Sequence, residues 1–143
     1  MLWLVGVVLA AVVVPGLWPT TADGYRETAV TGARDAASAV STAALVGEAA
    51  SRDRAFGGYT SAALSDAREG VGTALGDVAD LEVPDEASGD LRDRVVPLLV
   101  EAVAAVGDVS RAADRSDAAA TSTAARRARA AGERLRDFVG SAG

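Results

Sequence analysis

The sequence contains no cysteine, histidine, lysine, asparagine, glutamine or isoleucine among its 143 residues. Without histidine and cysteine there is no thiolate nucleophile, no Ser-His pair and no zinc site built from nitrogen and sulfur ligands. Without lysine there is no Schiff base and no P-loop lysine, and without cysteine there is no disulfide framework. We therefore expect no enzymatic activity, no cofactor and no metal ion, and we assign no catalytic, cofactor-binding or metal-binding residue.

Large side chains are also scarce. Aromatic residues make up 4% of the chain, whereas 33 residues are alanine. Beyond Thr20 the aromatic residues are Tyr25, Phe56, Tyr59 and Phe138. A core of alanine and glycine lets helices pack closely but buries few large side chains, so we expect modest stability. A chain of this length has room for one domain.

Residues 1–18, MLWLVGVVLAAVVVPGLW, are the segment richest in large apolar side chains, and none of them is charged. As a helix they would span roughly 27 Å, close to the hydrocarbon thickness of a bilayer. Trp3 and Trp18 lie near its two ends, where indole rings favour the membrane interface. We therefore divide the chain into residues 1–20, a transmembrane anchor or signal segment, and residues 21–143, a helical bundle domain.

Two fates of the amino-terminal segment are open. We favour a retained single-pass anchor; the alternative is a signal peptide cleaved near the small residues 20–22, which would release a secreted domain. No arginine precedes the segment, and Arg26 and Arg34 follow it. Counted literally, this places the carboxyl-terminal side in the cytoplasm. Long domains cross membranes largely regardless of charge, so we expect residues 21–143 on the extracytoplasmic side.

Four stretches beyond Thr20 repeat apolar or small residues every three or four positions, which is typical of helices. They cover residues 30–47, 64–81, 91–112 and 124–138. No stretch shows the sustained alternation of a β-strand. The pattern predicts an all-α chain. Short connections favour antiparallel neighbours, and hence an up-down bundle of four helices, or of three if one pair is continuous.

The helices are expected to be separated at residues 56–59, 83–89 and 114–117, with one long helix through the last region as the alternative. Asp85 is the expected amino-terminal cap of the third helix. Pro97 should remove one backbone hydrogen bond and kink that helix.

Two stretches carry charge of mainly one sign. Residues 77–90 are acidic but lack the ligand spacing of an EF-hand, so we interpret them as a solvated turn. Residues 126–136 include five arginines, but the net charge of -6 and pI near 4.6 argue against nucleic-acid binding. In an up-down bundle both stretches should lie at the membrane-proximal end and compensate each other. Contact of the arginines with anionic lipid head groups is the alternative.

Phe56 and Tyr59 flank two glycines at the first expected turn. We expect these aromatic rings to cover the open end of a helical hairpin. The alternative is a small binding surface at the tip of the bundle.

Three short motifs carry a family resemblance: Ser65-Asp66-Ala67 in an Asp-Ala-rich helix, Pro84-Asp85 in the following turn, and Leu91-Arg92-Asp93 at a helix opening. In this pattern the chain resembles a group of actinobacterial membrane-anchored or secreted helical proteins without an assigned activity. A composition rich in residues with GC-rich codons agrees with an actinobacterial source. The resemblance covers about a third of the chain and implies a membrane-anchored helical domain. The architecture also resembles the four-helix ectodomains of bacterial sensory receptors.

These features predict a non-enzymatic, membrane-anchored envelope protein whose helical bundle binds another envelope component. Its expected partners are the membrane and an envelope protein, and not nucleic acid. The alternative is a ligand-binding sensory or accessory module that acts through a separate signalling partner. Exposed apolar residues along one groove would favour the first function, and a well-formed polar pocket inside the bundle would favour the second.

Overall fold

The computed structural model describes residues 20–53 and 57–143. The predictions for the apolar segment at 1–18 and for Phe56 lie outside the described residues. The described part forms four helices and contains no β-strand: α1 (Ala22–Ser51), α2 (Gly57–Ala79), α3 (Glu86–Asp114) and α4 (Ala118–Ala142). The all-α prediction is confirmed for this part of the chain, with four helices.

Contacts between helix ends show an up-down arrangement. Near the start of α1, Arg26 Nε donates a hydrogen bond to the carbonyl of Ala142 at the end of α4, at 2.7 Å. Near the end of α1, Glu48 pairs with Arg129 in the first half of α4. The two helices are therefore antiparallel. Gly32 in the first half of α1 lies against Val78 at the end of α2, so this pair is antiparallel as well.

The helices occupy the four corners of the bundle in chain order. Both α1 and α3 pack against all three other helices, whereas α2 and α4 make no contact with each other in the described structure. We call the end that holds Thr20, the α2–α3 connection and the end of α4 the Thr20 end. The opposite end, where α1 meets α2 and α3 meets α4, is the far end.

The core follows the predicted apolar faces and is built mainly from alanine. More than half of the buried apolar residues are alanines, contributed by all four helices. The largest fully buried side chains are those of Tyr25, Leu99, Leu135, Val40, Val71, Val78, Val95, Val106 and Val109. Because alanine adds little volume, the helix backbones approach closely, and each large side chain accounts for much of the apolar burial around it.

Asp85 caps α3 as predicted. Its Oδ1 accepts a hydrogen bond from the backbone N–H of Ser88 at 2.8 Å, which satisfies one of the unpaired donors in the first turn. The helix then continues through Pro97 to Asp114. Proline has no N–H to donate, so one helical hydrogen bond is missing there. The kink at Pro97 stays a prediction.

The third predicted break is confirmed, and the alternative of one continuous helix is wrong. The chain leaves α3 at Asp114, and Ser116 takes a left-handed conformation with φ of 52°. Asp117 then caps α4, its carboxylate accepting from the backbone N–H of Ala120 at 2.9 Å. The left-handed residue and the cap reverse the chain within three residues, which a continuous helix could not do.

The acid stability of the fold should depend on Asp85. Hydrogen bonds from the side chain and the backbone of Ser88 hold the pKa of Asp85 below its ordinary value. A carboxyl whose pKa is lowered by folding contributes stability above its unfolded pKa, about 4, and loses it as the pH falls through the folded value. We expect Asp85→Asn to keep the cap but to flatten this acid dependence, and Asp85→Ala to lose the cap at every pH.

Circular dichroism melts of the three proteins between neutral pH and pH 3 measure the effect. The wild-type protein should lose more stability than Asp85→Asn over the acidic range. An identical acid dependence of wild type and Asp85→Asn would contradict the assignment.

Candidate functional site

A groove runs between α1 and α2 along the outside of the bundle. In its far half it encloses about 510 Å³. The residues that line this half are mostly small, with a carboxylate on each helix: Asp35, Ser38, Ala39, Thr42, Tyr59, Ala62, Ala63, Asp66 and Ala67. Small side chains on both helices leave open the space that larger residues would fill.

The groove continues towards the Thr20 end. Its second half encloses about 490 Å³ and shares Asp35 with the first half. The residues that line this half are Glu27, Thr28, Thr31, Gly32, Asp35, Gly70, Thr73, Ala74 and Asp77. We call the two halves together the α1–α2 groove. Between Glu27 and Thr42 it follows α1 for roughly 22 Å, at 1.5 Å per residue.

The charged residues that are described in the α1–α2 groove are all acidic. Glu27, Asp35, Asp66 and Asp77 contribute carboxylates, and no arginine of residues 20–53 or 57–143 lines either half. Three threonine hydroxyls add polar groups in the half nearer the Thr20 end. In the sequence, Asp77 is recognisable only as part of an acidic turn. The groove cannot be predicted there, because the four carboxylates are up to 50 residues apart in sequence and meet only when α1 and α2 pack.

Exposed apolar side chains mark the far half of the groove. Tyr59 is 66% exposed and Leu45 is 63% exposed. Leu45 follows Thr42 by three positions and Ser38 by seven, so it lies on the same face of α1 as the groove lining. The prediction that Tyr59 covers the open end of a hairpin is wrong. It is Thr60, the next residue, that turns inward and is buried.

A second pocket lies at the far end, where the α1–α2 and α3–α4 connections meet. It encloses about 440 Å³, and much of its lining is polar. Thr60 and Thr121 face it as buried hydroxyl-bearing residues. Asp53 and Ser116, also in its lining, both have φ of 52°. Left-handed conformations are costly for residues other than glycine and often occur at binding sites.

The predicted compensation between the acidic stretch and the arginines of α4 is wrong. Arg129 pairs with Glu48 of α1 at 2.6 Å, and Arg134 pairs with Glu101 of α3 at 2.7 Å. Of the ion pairs formed by the described residues, none joins residues 77–90 to α4. Two features of the packing explain this. The α2 and α4 helices lie at opposite corners, and α4 starts at the far end, so its arginines are spread along the side of the bundle.

The described residues contain neither a cluster of metal-ligating side chains nor a membrane-spanning helix. Within residues 20–53 and 57–143, no three acidic side chains form a group that could hold a metal ion. No helix in the same ranges has both the length and the hydrophobicity needed to cross a bilayer. Comparisons with protein-family models, curated proteins and solved structures find no match to this chain.

Proposed function

We propose that the protein is a non-enzymatic envelope protein that is attached to the membrane by residues 1–18 and binds another envelope component through the α1–α2 groove. In this proposal the four-helix domain lies on the extracytoplasmic side. The observation that carries the binding function is the continuous acidic groove with exposed Tyr59 and Leu45 at its far half. Exposed apolar residues beside a long groove are typical of interaction surfaces.

The occupant that fits the groove is a helix of the partner protein with basic residues along its edges. A length of roughly 22 Å accommodates about four helical turns. The alanines and glycines of the lining allow a helix to approach closely, as in ridges-into-grooves packing. Tyr59 supplies an aromatic contact of the kind that often dominates binding energy. Four carboxylates without an arginine select for positive charge on the partner and speed its association.

Crosslinking in the native host tests this proposal. A photoreactive amino acid at Ala62, inside the groove, should give one discrete adduct with a membrane or envelope protein. The same amino acid at Glu133, on the exposed face of α4 at the opposite corner, should not. Mass spectrometry of the adduct should place the crosslink in a helix with basic flanks. The same adduct from both positions, or a crosslink to an acidic segment, would refute the groove as the docking site.

Charge reversal provides the matched control. We expect Asp35→Arg combined with Asp66→Arg to reduce the Ala62 adduct at least tenfold, because the groove would then repel a basic helix. Glu133→Arg combined with Asp137→Arg makes the same charge change on α4 and should leave the adduct unchanged. All four side chains are exposed, so both variants should fold, as circular dichroism can verify. Equal losses in both variants would show that overall charge, and not the groove, controls binding.

The membrane attachment has its own test. We expect the full-length protein to fractionate with membranes and to resist extraction by salt and by alkali, because eighteen uncharged residues have a large favourable free energy of transfer into a bilayer. Mass spectrometry of the native protein identifies its amino terminus. A mature amino terminus at or near Asp23 would show instead that the segment is a cleaved signal peptide.

The alternative function, a ligand-binding sensory or accessory module, is supported by the polar pocket at the far end. Buried Thr60 and Thr121 and the two left-handed residues that line it are features of a small-molecule site. A panel of small polar compounds, screened by thermal melting, distinguishes the two functions. A compound that raises the melting temperature of the wild type but not of Thr121→Val would favour the sensory module.

A further inference from the structure

A cleft between the end of α3 and the start of α4 brings three arginines together. It encloses about 400 Å³ and lies at the far end of the bundle. Arg111 lies in the last turn of α3, Arg115 is the residue that directly follows that helix, and Arg127 faces them from α4. The two helices run antiparallel here, since Glu101 in the middle of α3 pairs with Arg134 beyond the middle of α4. Three guanidinium groups from two helices therefore border one cleft.

Among the described residues, two of these three guanidinium groups have no partner. Arg111 pairs with Asp108 at 2.6 Å. The side chains of Arg115 and Arg127 take part in no ion pair and no hydrogen bond with any described residue. Among the described residues, Asp108 is the one acid that lines the cleft. Three arginines less one aspartate leave two positive charges uncompensated within the lining. Arg129 and Arg134, further along α4, by contrast pair with Glu48 and Glu101.

Two further donors border the same cleft. Thr123 Oγ1 accepts a hydrogen bond from Arg126 at 3.1 Å, so the threonine's own hydroxyl hydrogen can be donated to a ligand. Ala119 is the second residue of α4. Asp117 accepts hydrogen bonds from the N–H groups of Ala120 and Thr121, not from that of Ala119. The N–H of Ala119 lies at the positive end of the helix dipole. The cleft thus offers guanidinium and hydroxyl donors beside the first turn of α4.

We propose that this cleft binds an anion bearing a phosphate group. A phosphate or pyrophosphate carries the two or more negative charges that match the uncompensated arginines, and its oxygens accept from guanidinium forks in pairs. A single carboxylate would neutralise only one of the two charges. The proposal is independent of the protein-binding function and of the α1–α2 groove, because α2 and α4 lie at opposite corners of the bundle.

The position of the cleft bears on the source of the phosphate. The far end lies about 45 Å from the Thr20 end, since α1 has 30 residues and rises 1.5 Å per residue. If residues 1–18 attach the chain to a membrane, the cleft points away from that bilayer. A soluble phosphate compound, or a phosphate-bearing surface opposite the membrane, would then be its ligand.

The test uses the full-length chain reconstituted in phosphatidylcholine nanodiscs. Inorganic phosphate and pyrophosphate are titrated by calorimetry at constant ionic strength, and phosphatidylglycerol vesicles are offered separately in a flotation assay. We expect saturable binding that weakens at least tenfold in the double variant Arg115→Gln with Arg127→Gln. The double variant Arg34→Gln with Arg68→Gln removes the same charge from two exposed arginines outside the cleft and should change affinity less than twofold. The side chains of neither pair have a partner among the described residues, so the unliganded melting temperatures should not change.

The binding results distinguish a soluble phosphate compound from a lipid head group as the ligand, and they can refute the anion site. Binding of free phosphate or pyrophosphate that depends on Arg115 and Arg127 assigns the cleft to a soluble ligand. Vesicle binding that depends on them, without binding of the free anions, assigns it to a lipid head group. Equal weakening in both double variants would show a general effect of net charge. That result, or the absence of saturable binding by all three probes, would refute the anion site.

Discussion

Tyr25→Ala should lower the free energy of unfolding by about 3–5 kcal/mol, the range found when a large buried aromatic side chain is truncated. Tyr25 is fully buried and is the largest of the completely buried side chains. More than half of the core cluster that contains Tyr25 is alanine, and alanine cannot extend into the space that the ring would leave. For a domain of this size and thin core, such a loss approaches the total stability. Urea denaturation followed by circular dichroism measures the change.

Tyr25→Phe, by contrast, should not lower the free energy of unfolding. The Tyr25 hydroxyl is buried without a hydrogen-bond partner in the described structure. An unsatisfied buried polar group costs about 1–3 kcal/mol, so its removal should leave stability unchanged or raise it by about 1 kcal/mol. Tyr59→Ala, which removes an exposed ring, should change stability by about 0.5 kcal/mol or less. A clear loss of stability in Tyr25→Phe would show that the hydroxyl has a partner, such as a buried water molecule.

Alkaline pH gives a second readout for the same residue. Burial raises the pKa of the Tyr25 phenol; the charge of Arg92 acts in the opposite direction, and Asp93 adds to the increase. A group whose pKa is raised by folding contributes stability that is present below its unfolded pKa, about 10, and is lost as the pH rises through the folded value. The wild type should therefore lose stability above about pH 10 more steeply than Tyr25→Phe.

Gly47→Ala should destabilise the bundle, although alanine is the better helix former. A Cβ at Gly47 would lie 2.8 Å from Val109 Cγ1 and 3.2 Å from Ala125 Cβ, closer than van der Waals contact. Val109 is fully buried and β-branched, so it has little freedom to rotate away. Overpacking costs about 1–3 kcal/mol, which outweighs a helix-propensity gain of about 1 kcal/mol. Gly47→Val should be worse, because it adds two further methyl groups to the same contact.

The same substitution at Gly72 or Gly76 provides the control. At either position an added Cβ would meet nothing within 4 Å. Gly72→Ala and Gly76→Ala should therefore stabilise the protein by about 0.5–1 kcal/mol each, through helix propensity alone. Thermal and urea melts of the three single variants are directly comparable. If Gly47→Ala were as stable as the two controls, the close approach of α1 to α3 and α4 at this point would be wrong.

The helices could be predicted from sequence because the interactions that define them are local. The three-four spacing of apolar residues identified all four helices, and Asp85 was recognised as a cap because its hydrogen bond reaches only three residues along the chain. The predicted helix starts lie several residues after the observed ones. The first helix was expected from Val30 but begins at Ala22, directly after its cap Thr21. A helix extends beyond its apolar stripe wherever a cap satisfies its first turn.

The functional surfaces could not be predicted in the same way. The exposure of Tyr59 depends on which face of α2 is covered by α1 and α3. The sequence around Tyr59 does not indicate which face that is. Likewise, Glu48 and Glu101 were not recognised as partners of the α4 arginines. Their pairing requires that α4 lie between α1 and α3, and a charge pattern along one helix does not show which neighbour it will face.

The amino-acid composition by itself determined the alanine-rich core and the lack of histidine, cysteine and lysine side chains. Local interactions along the chain determined the helices and the capping of α3. Tertiary packing alone decided that four distant carboxylates share one groove, that Arg115 and Arg127 border one cleft with no ion-pair partner among the described residues, and that a side chain at Gly47 would clash with Val109. The physical reason is the range of the interactions. Periodicity and capping act within one or two helical turns, whereas each of these sites joins residues on different helices, whose relative positions depend on the packing of the whole core.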